Sequence, residues 1–333
     1  MHSSKVYLII LNWNGYNDTC ECLDSLQRLT FEHLQIVVVD NASSDNSLDS
    51  IETWAKRNNF ETLRLDRASA GKYSGKLFSS SEQTIVLIQT GKNLGFAGGN
   101  NVGIRYALQM GAEYIWLLNN DTLVDSGCVE PLLESMDSDD KIGIAGSCVI
   151  YYDKPNVIQT AGMKLSLHNL KISHLGRGKL MTDSSISQQR EVDCVPACSM
   201  LVRSKLISDV GLMDEEYFMY HEDVDWQIRA KRAGWKIVYV PGSKILHKCG
   251  GSTKKSRFVS AYYQSRNKFL LIAKNEGKIA VFLMIPLVFA FIRNVIISLF
   301  TGDLMSARGI WQGGKDFFLG RAGVRNFEKC NSN

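Results

Sequence analysis

The first half of the chain alternates short apolar runs with segments of helical spacing. Val6–Leu11, Ile36–Val39, Thr84–Gln89 and Tyr114–Leu118 are almost wholly apolar. Runs of this length and composition are typical of strands buried on both faces of a parallel sheet. Because helix-like segments separate them, the order of elements predicts a doubly wound, mostly parallel α/β sheet flanked by helices.

The segments between these strands carry helix and loop signals. Apolar residues from Cys22 to Leu29 recur at helical spacing, and Ser-Ser-Asp at 43–45 offers N-cap residues for a helix ending near Arg57. Arg67–Glu82 is rich in Ser, Gly and Lys, which predicts a surface loop or insertion. Gly95–Asn101 is predicted to be a glycine-rich loop that opens onto a helix.

The predicted catalytic domain, 1–252, has a first half near 1–125 and a second half near 126–252, and the patterning of the second half weakens after Cys148. Hairpin strands are expected around 157–165 and 170–175. A helix over Asp223–Ala233 and a strand over Lys236–Val240 follow.

The C-terminal part, 253–333, is predicted to be a separate basic and apolar helical extension. Lys254–Lys278 carries seven Lys or Arg against one acid, and Ile279–Ile292 has no charge but contains Pro286. A basic segment that leads into a short, interrupted apolar one favours an interfacial or re-entrant membrane helix. The alternatives are a helix buried against the catalytic domain and an interface in a homo-oligomer.

Composition limits the remaining classes. The chain has 333 residues, 45% hydrophobic and 22% charged, and a net charge of +4, which is too weak to indicate a nucleic-acid partner. None of the eight cysteines has the CxxC…CxxC spacing of a structural zinc site. Val6 begins an apolar strand at once, without the pattern of a secretory signal, so a cytoplasmic location is expected.

Polar residues follow three of the predicted strands: Asn12 and Asn14, then Asp40, then Asn119-Asn120-Asp121. Ligands of open α/β sheets bind beyond the carboxyl ends of parallel strands, so these residues are expected to converge on one crevice. A carboxylate there can accept a base N–H, while Asp121 can hold a divalent cation that neutralises a pyrophosphate. The glycines of 95–101 would let such an anion approach a helix N-terminus, although a tight turn with positive φ is the simpler explanation.

With these motifs in order, the chain resembles the family 2 glycosyltransferases of GT-A fold, a Rossmann-like architecture. Asn119-Asn120-Asp121 stands where that family has an acidic triplet holding a metal–nucleotide complex, here reduced to one carboxylate. The resemblance implies Glu222 and Asp223 as the acidic catalytic pair, with Asp223 as base, and His247 as a metal ligand beside Asp121. It implies Mg²⁺ or Mn²⁺ as the cofactor.

The resemblance also implies a set of contacts to a nucleotide-sugar donor. Its members are Asn12, Asn14, Asp40, Asn93, Gly98, Asn101, Asn120 and Asp121. The pattern Tyr262–Leu271 followed by an apolar helix is similar to bacterial rhamnosyltransferases of polysaccharide and O-antigen assembly. This implies dTDP-rhamnose as donor, a lipid-linked glycan as acceptor and a peripheral place on the inner face of the cell membrane. Arg266 in this pattern is expected either to meet lipid phosphate or to face solvent.

Three alternatives remain at this stage. The donor could be a UDP-hexose or a UDP-N-acetylhexosamine instead of dTDP-rhamnose. A sugar nucleotidyltransferase should carry Gly, Arg and Lys directly after the first strand, where this chain has Asn12-Trp-Asn-Gly15. The reduced triplet also permits a non-catalytic nucleotide-sugar-binding or membrane scaffold subunit, although retention of Asp121, Asp223 and His247 opposes it.

Overall fold

The structure, a computed structural model, describes residues 4–31, 33–75, 84–166, 171–248, 257–325 and 327. The described residues form a large mixed sheet, a small hairpin and a helical C-terminal part. The strands are β1 (Val6–Asn12), β2 (Leu34–Asp40), β3 (Glu61–Asp66), β4 (Thr84–Gln89), β5 (Tyr114–Asn119), β6 (Thr122–Val124), β7 (Ile142–Tyr151), β8 (Lys154–Thr160), β9 (Met163–Ser166), β10 (Lys171–His174), β11 (Arg190–Glu191), β12 (Ser199–Arg203) and β13 (Lys236–His247). The α-helices are α1 (Tyr16–Leu26), α2 (Ser47–Arg57), α3 (Arg67–Ala70), α4 (Gly95–Gln109), α5 (Glu130–Ser138), α6 (Ser204–Val210), α7 (Glu222–Arg232), α8 (Arg257–Asn275), α9 (Ala280–Phe300) and α10 (Leu304–Phe318).

The large sheet has the strand order β11-β13-β7-β12-β5-β1-β2-β4-β3, with β6 beside β13 and β8 beside β7. Strands β1 to β5 pair in parallel, as their apolar runs predict. The second half is mixed, because β12 runs antiparallel between β5 and β7. Apolar side chains fill both faces of the central strands and form two cores, one on each side of the sheet. The predicted α/β architecture is confirmed, and its parallel part is limited to the first half together with the β7–β13 pair.

The structure differs from the local predictions at three places. Edge strand β3 was not predicted, because its residues are partly exposed and too polar to resemble a buried strand. Arg67–Glu82, predicted to be a loop, begins with the short helix α3, and residues 76–83 lie outside the described part. Helix α2 begins at Ser47 with Asn46 as its N-cap, slightly later than the 43–45 segment suggested.

The glycine-rich segment is part of helix α4 and not a loop before it. Gly95 has a φ of 72° and starts the helix, so the explanation by positive φ holds at this position. A Cβ at Gly99 would collide with Leu11, and one at Gly103 would collide with Ile9. The glycines therefore let α4 pack closely on strand β1.

The C-terminal helices α8, α9 and α10 pack against one another, and α8 also contacts α7 of the catalytic domain. Helix α10 packs along α8, where a Cβ at Gly309 or Gly313 would meet the backbone of α8. Helix α9 is continuous over 21 residues, so neither Pro286 nor Arg293 interrupts it. Only Ala280 and Leu287 of α9 are buried, which contradicts the alternative of a helix buried against the catalytic domain. By length and composition, Gly277–Phe300 is sufficient to cross a membrane.

Candidate active site

The polar strand ends lie side by side, as predicted. Strands β5, β1 and β2 are neighbours, with Asn12 in register with Asp40 and Leu11 in register with Asn119. The ends of these parallel strands therefore form one edge of the sheet, which is where an open α/β sheet binds its ligands.

Asn12 and Asp40 support this edge from within the protein. Both are fully buried, and the amide of Asn12 donates a 2.9 Å hydrogen bond to Asp40. The other carboxylate oxygen of Asp40 accepts from the amide of Ser43, while Thr19 donates to the Asn12 oxygen. Neighbouring polar groups surround both side chains, and the nucleotide contacts expected of Asn12 and Asp40 stay a prediction.

The start of helix α4 is also occupied by protein groups. The carbonyl oxygen of Phe218 accepts from the amide of Phe96 at 2.6 Å, and the side chain of Asn93 accepts from the amide of Gly95. Asn41 bonds to Asn93 and to the carbonyl of Gly95. Protein groups therefore partner the start of α4 in this structure, and the anion expected at this helix N-terminus stays a prediction.

Asn101 and Gly98 contact a neighbouring segment of the protein. Asn101 is fully buried, and its amide donates to the carbonyl of Met213 and to Glu215 while its oxygen accepts from the Met213 amide. A Cβ at Gly98 would meet Leu94 and approach the Glu215 carboxylate. Both positions therefore pack α4 against residues 213–215.

Other polar groups of the edge remain partly exposed. Asn14 has a φ of 49° and accepts a 2.7 Å bond from the amide of Ser44, and Asn120 bonds to Thr19 on α1. Trp13, which lies between Asn12 and Asn14 in the sequence, is 38% exposed although the strand before it is buried. Sequence reasoning did not select Trp13, although an aromatic residue between two asparagines at a strand end was a usable signal.

Asp121 and His247 are brought together across the sheet. His247 ends β13, which pairs with β6 directly after Asp121, and its Nε2 lies 3.2 Å from Oδ1 of Asp121. The Nδ1 of His247 lies 2.9 Å from Oε1 of Gln159, so it donates that hydrogen bond. In a neutral imidazole, Nε2 then presents a lone pair to a carboxylate, an arrangement that a proton or a metal cation between them stabilises. The described residues contain no cluster of three His, Cys, Asp or Glu around a metal position.

Glu222 and Asp223 form a buried acidic pair at the start of α7. Glu222 is 4% exposed and its Oε2 has no hydrogen-bond partner among the described residues, whereas Asp223 is partly exposed. Burial and the neighbouring Asp223 carboxylate raise the pKa of Glu222 well above its usual range. Burial also raises the pKa of Asp223, against hydrogen bonds from the backbone of Val224 and Ala197.

The segment before β12 connects the acidic pair to the strand ends. Ala197 bonds to Asp223 through its backbone, and the next residue, Cys198, accepts a 3.1 Å hydrogen bond from the amide of Asn119. Two consecutive residues, Ala197 and Cys198, therefore connect Asp223 to Asn119, the first residue of the triplet.

The segment 214–221 leads into α7 and has an unusual backbone. Phe218, Tyr220 and His221 all have positive φ values, between 65° and 72°. Non-glycine residues rarely adopt this conformation without support from their surroundings. The support comes from α8, where Arg266 and Asn267 are both almost completely buried and donate to backbone carbonyls of 216–220.

This corrects the expectation for Arg266. It neither meets lipid nor faces solvent, because its guanidinium is 1% exposed and also donates to the carbonyl of Gly323. Asp225, an acid of the same helix start, likewise has a structural role through its 2.8 Å ion pair with Arg229 and a hydrogen bond from Asn275.

The sequence matches the model of the Glycosyl transferase family 2 over residues 7–208, and a Glycosyl transferase family group 2 model over residues 114–311. The chain belongs to glycosyltransferase family 2. The first match includes the strand ends and Asp121, and the second includes Glu222, Asp223 and His247. This membership favours a transferase over the nucleotidyltransferase and scaffold alternatives.

Two characterised relatives are similar to this chain in sequence. The chain is 28% identical over 313 residues to dTDP-rhamnosyl transferase RfbF of Shigella flexneri, covering 92% of this chain and 89% of the relative. It is 27% identical over 203 residues to an N-acetylglucosaminyl-diphospho-decaprenol L-rhamnosyltransferase of Mycobacterium tuberculosis, covering 55% and 66% of the two chains.

Solved structures of other glycosyltransferases share the fold. The mannosyltransferase PcManGT of Pyrobaculum calidifontis, solved with GDP-Man and Mn²⁺, superposes with a TM-score of 0.58 at 12% identity, covering 96% of this chain and 89% of that one. GalNAc-T7, solved with UDP, GalNAc and Mn²⁺, gives 0.57 over 84% of this chain and 53% of that one. The GT-A fold expected from the sequence is confirmed.

Proposed function

We propose that this glycosyltransferase is an inverting enzyme that transfers a sugar from a nucleotide-sugar to a hydroxyl of a lipid-linked glycan, with Asp223 as the base. The observation that carries the proposal is the connection of the partly exposed Asp223, through Ala197 and Cys198, to Asn119, the first residue of the triplet that ends in Asp121. A carboxylate with a raised pKa is a stronger proton acceptor than an ordinary one. It takes the acceptor proton while the acceptor oxygen bonds to the anomeric carbon and the nucleoside diphosphate leaves.

Glu222 supports this base without sharing its charge. Because the pKa of Glu222 is raised well above its usual range, Glu222 keeps its proton when Asp223 has lost its own. A neutral Glu222 avoids a second negative charge at the acceptor. Its role is therefore to maintain the local environment of Asp223.

Asp121 and His247 are the residues that would hold a divalent cation, Mg²⁺ or Mn²⁺. One carboxylate and one imidazole suit Mn²⁺ well, and the 3.2 Å approach of Nε2 to Oδ1 supports a shared position. The cation would supply positive charge to the pyrophosphate of the donor. Two protein ligands leave room for phosphate oxygens and water.

The nucleoside part of the donor is proposed to meet the partly exposed groups of the strand ends. Asn14 and Asn120 offer polar groups, Asn93 lies at the start of α4, and Trp13 offers an aromatic face for a base. Asn12, Asp40, Gly98 and Asn101 keep these groups in place. Of the donor contacts expected from the sequence, we therefore assign direct contact with the nucleoside to the partly exposed residues.

We favour dTDP-rhamnose as the donor and a lipid-linked glycan as the acceptor. Support comes from the relative in Shigella flexneri, which is named a dTDP-rhamnosyl transferase, and from the one in Mycobacterium tuberculosis, named for a diphospho-decaprenol acceptor. UDP-hexose and UDP-N-acetylhexosamine donors are the alternatives to test.

A place on the inner face of the cell membrane is part of the proposal. Phe282, Ile285, Phe289 and Phe300 of α9 are all more than half exposed. With a rise of about 1.5 Å per residue, the helix is about 31 Å long, similar to the hydrocarbon thickness of a bilayer. Burial of this surface in lipid would remove a large apolar area from water.

A donor panel tests the function. Purified protein with Mg²⁺ or Mn²⁺ is incubated with dTDP-rhamnose, UDP-hexoses and UDP-N-acetylhexosamines, with and without lipid-linked acceptors, and nucleotide release is measured. Acceptor-dependent release from dTDP-rhamnose, absent in Asp223→Asn, is the expected result. Release from a UDP-sugar alone would refute the donor assignment, and donor binding without release for any acceptor would favour a scaffold.

A further inference from the structure

A polar cavity lies between helices α8, α9 and α10, behind the apolar surface of α9. Its volume is about 840 Å³, within the range of small-molecule sites. The walls are the inner faces of the three helices, and they include side-chain amides and hydroxyls such as Gln264, Asn294 and Ser298. A bundle of three helices would normally fill such a space with apolar side chains, so its polar lining requires an explanation.

The charges around the cavity are unbalanced. Lys268 lines the cavity and is half-buried, and in the part of the chain that the structure describes no carboxylate lies within ion-pair distance of it. Burial and the nearby Arg293 lower the pKa of Lys268. Asp303, the one acid of the lining, accepts hydrogen bonds from Ser306 and lies 3.7 Å from Arg257. A half-buried ammonium that faces another cation indicates a position for an anion.

The cavity lies next to the segment that leads into the acidic pair Glu222 and Asp223. The hydroxyl of Tyr220 lies 3.2 Å from that of Ser260, a residue of the cavity wall. The next residue, His221, is close enough to Lys268 for its pKa to fall to about 4 through burial and this charge. His221 directly precedes Glu222 and Asp223 in the sequence. Residues 220–221 therefore connect the cavity wall at Ser260 to the helix start that carries the candidate base.

We propose that this cavity binds the phosphate group next to the lipid of the acceptor, with Lys268 as its counter-charge. The proposal rests on the proposed function, because it places the acceptor between Asp223 and the exposed surface of α9. The lipid chain lies along α9, the phosphate meets Lys268 and the lining amides and hydroxyls, and the sugar extends past Tyr220 to Asp223. Lipid-linked phosphate is favoured over free phosphate because the cavity adjoins α9, whose large apolar side chains are mostly exposed.

Vesicle binding tests the site without catalysis. Full-length protein is mixed with phosphatidylcholine vesicles that contain either a polyprenyl diphosphate or the uncharged polyprenol. Wild type should bind the diphosphate vesicles at least about tenfold more tightly, since hydrogen bonds to a charged group are strong. Lys268→Gln should lose this preference and Lys268→Arg should retain it.

The matched control is Lys315→Gln, which removes one exposed charge from α10 outside the cavity lining. If Lys315→Gln lost the preference for diphosphate vesicles as fully as Lys268→Gln, net charge alone would explain the binding, and the proposed phosphate site would be wrong. Displacement of the protein by an equal concentration of inorganic pyrophosphate would overturn the lipid assignment. Thermal unfolding of Lys268→Gln establishes that the variant is folded, and Asn294→Leu, which fills the cavity with an apolar group, should lose the preference as well.

Transfer kinetics separate this inference from the proposed function. Lys268→Gln should raise the KM for the lipid-linked acceptor by about tenfold or more and leave the KM for the nucleotide-sugar unchanged. An unchanged acceptor KM would refute the phosphate site while the transferase function stands. If wild type transfers no sugar at all, the proposed function fails, and the vesicle experiment still decides the cavity.

Discussion

The guanidinium of Arg266 donates a 2.9 Å hydrogen bond to the carbonyl oxygen of Tyr217. This contact joins helix α8 of the C-terminal part to the segment that leads into Glu222 and Asp223. Asn267 donates to the same carbonyl, also at 2.9 Å. The C-terminal helices therefore do more than provide an apolar surface, because they hold the backbone from which the candidate base projects.

Replacement of Arg266 by Lys is expected to lower kcat more than it changes the KM for the donor. A single ammonium cannot bond to the carbonyls of Glu216, Tyr217 and Gly323 together, and a buried unpaired carbonyl costs about 1–3 kcal/mol. Steady-state kinetics and thermal unfolding measure both effects, with the exposed Arg308→Lys as control. A lower melting temperature with unchanged kcat would show that Arg266 stabilises the fold without positioning Asp223.

Asp223→Asn is expected to reduce kcat by about 10²- to 10⁴-fold, the usual contribution of a general base. Donor affinity should stay the same, because Asp223 acts on the acceptor. Calorimetric titration of the donor and single-turnover transfer measure the two quantities. Asp153→Asn, an exposed acid next to β8, is the matched control. Undiminished turnover in Asp223→Asn would remove its role as base.

The pH profile of transfer should show an acid limb above the usual range of an aspartate. The base acts in its ionised form, and burial raises the pKa of Asp223, so activity rises with pH only as that raised pKa is passed. Glu222→Gln should leave this limb in place, because Glu222 is still protonated there. An acid limb in the ordinary aspartate range would contradict the assignment.

Glu222→Gln should stabilise the protein more at about pH 8 than at about pH 5. The folded state holds the Glu222 proton because its pKa is raised, whereas the unfolded chain releases it above the usual glutamate pKa. Stability from this group is therefore present below the unfolded pKa and is lost as pH rises toward the folded one. Glutamine has no such proton, so the gain in melting temperature should grow with pH. A gain that is constant with pH would mean that Glu222 is ionised in the folded protein.

Asp121→Asn and His247→Gln should each weaken Mn²⁺-dependent donor binding by about tenfold or more, equivalent to about 1.4 kcal/mol. Chelation of the metal should bring wild type to the same level. Donor titration at several Mn²⁺ concentrations, together with the electron paramagnetic resonance signal of Mn²⁺, reports binding without turnover. Wild-type affinity for Mn²⁺ and donor in both variants would exclude this pair as the metal site.

Phe282→Ser combined with Phe289→Ser should release the protein from lipid vesicles. The two rings are 73% and 70% exposed, so their loss should not disturb the fold. Each ring that enters lipid contributes about 1.5–3 kcal/mol, so partitioning should fall by at least about tenfold. Leu180→Ser, at a 56% exposed leucine of the catalytic domain, is the control. These substitutions are better than deletion of 279–333, which would also remove the Gly323 carbonyl from Arg266.

The sequence by itself determined the four buried strands of the first half, the helices α1, α2 and α4, and the edge at which the polar residues gather. These follow from local periodicity and from the rule that parallel strands end on the same side, as Asn12, Asp40 and Asn119 show. The resemblance to the family 2 glycosyltransferases implied the pairing of Asp121 with His247 and the acidic pair Glu222 and Asp223. Each of these depends on a pattern that a short stretch of chain contains.

Only the tertiary structure decided which of these polar side chains are buried against protein partners. Asp40 and Asn101 have the residue types of ligand contacts, but partners far along the chain surround them. The same is true of Arg266, whose carbonyl partners lie about fifty residues earlier in the sequence. A hydrogen bond between distant residues leaves no periodic signal in the sequence, and burial depends on how whole elements pack. For that reason the fold was predictable, whereas the burial of Asp40, Asn101 and Arg266 against distant partners was not.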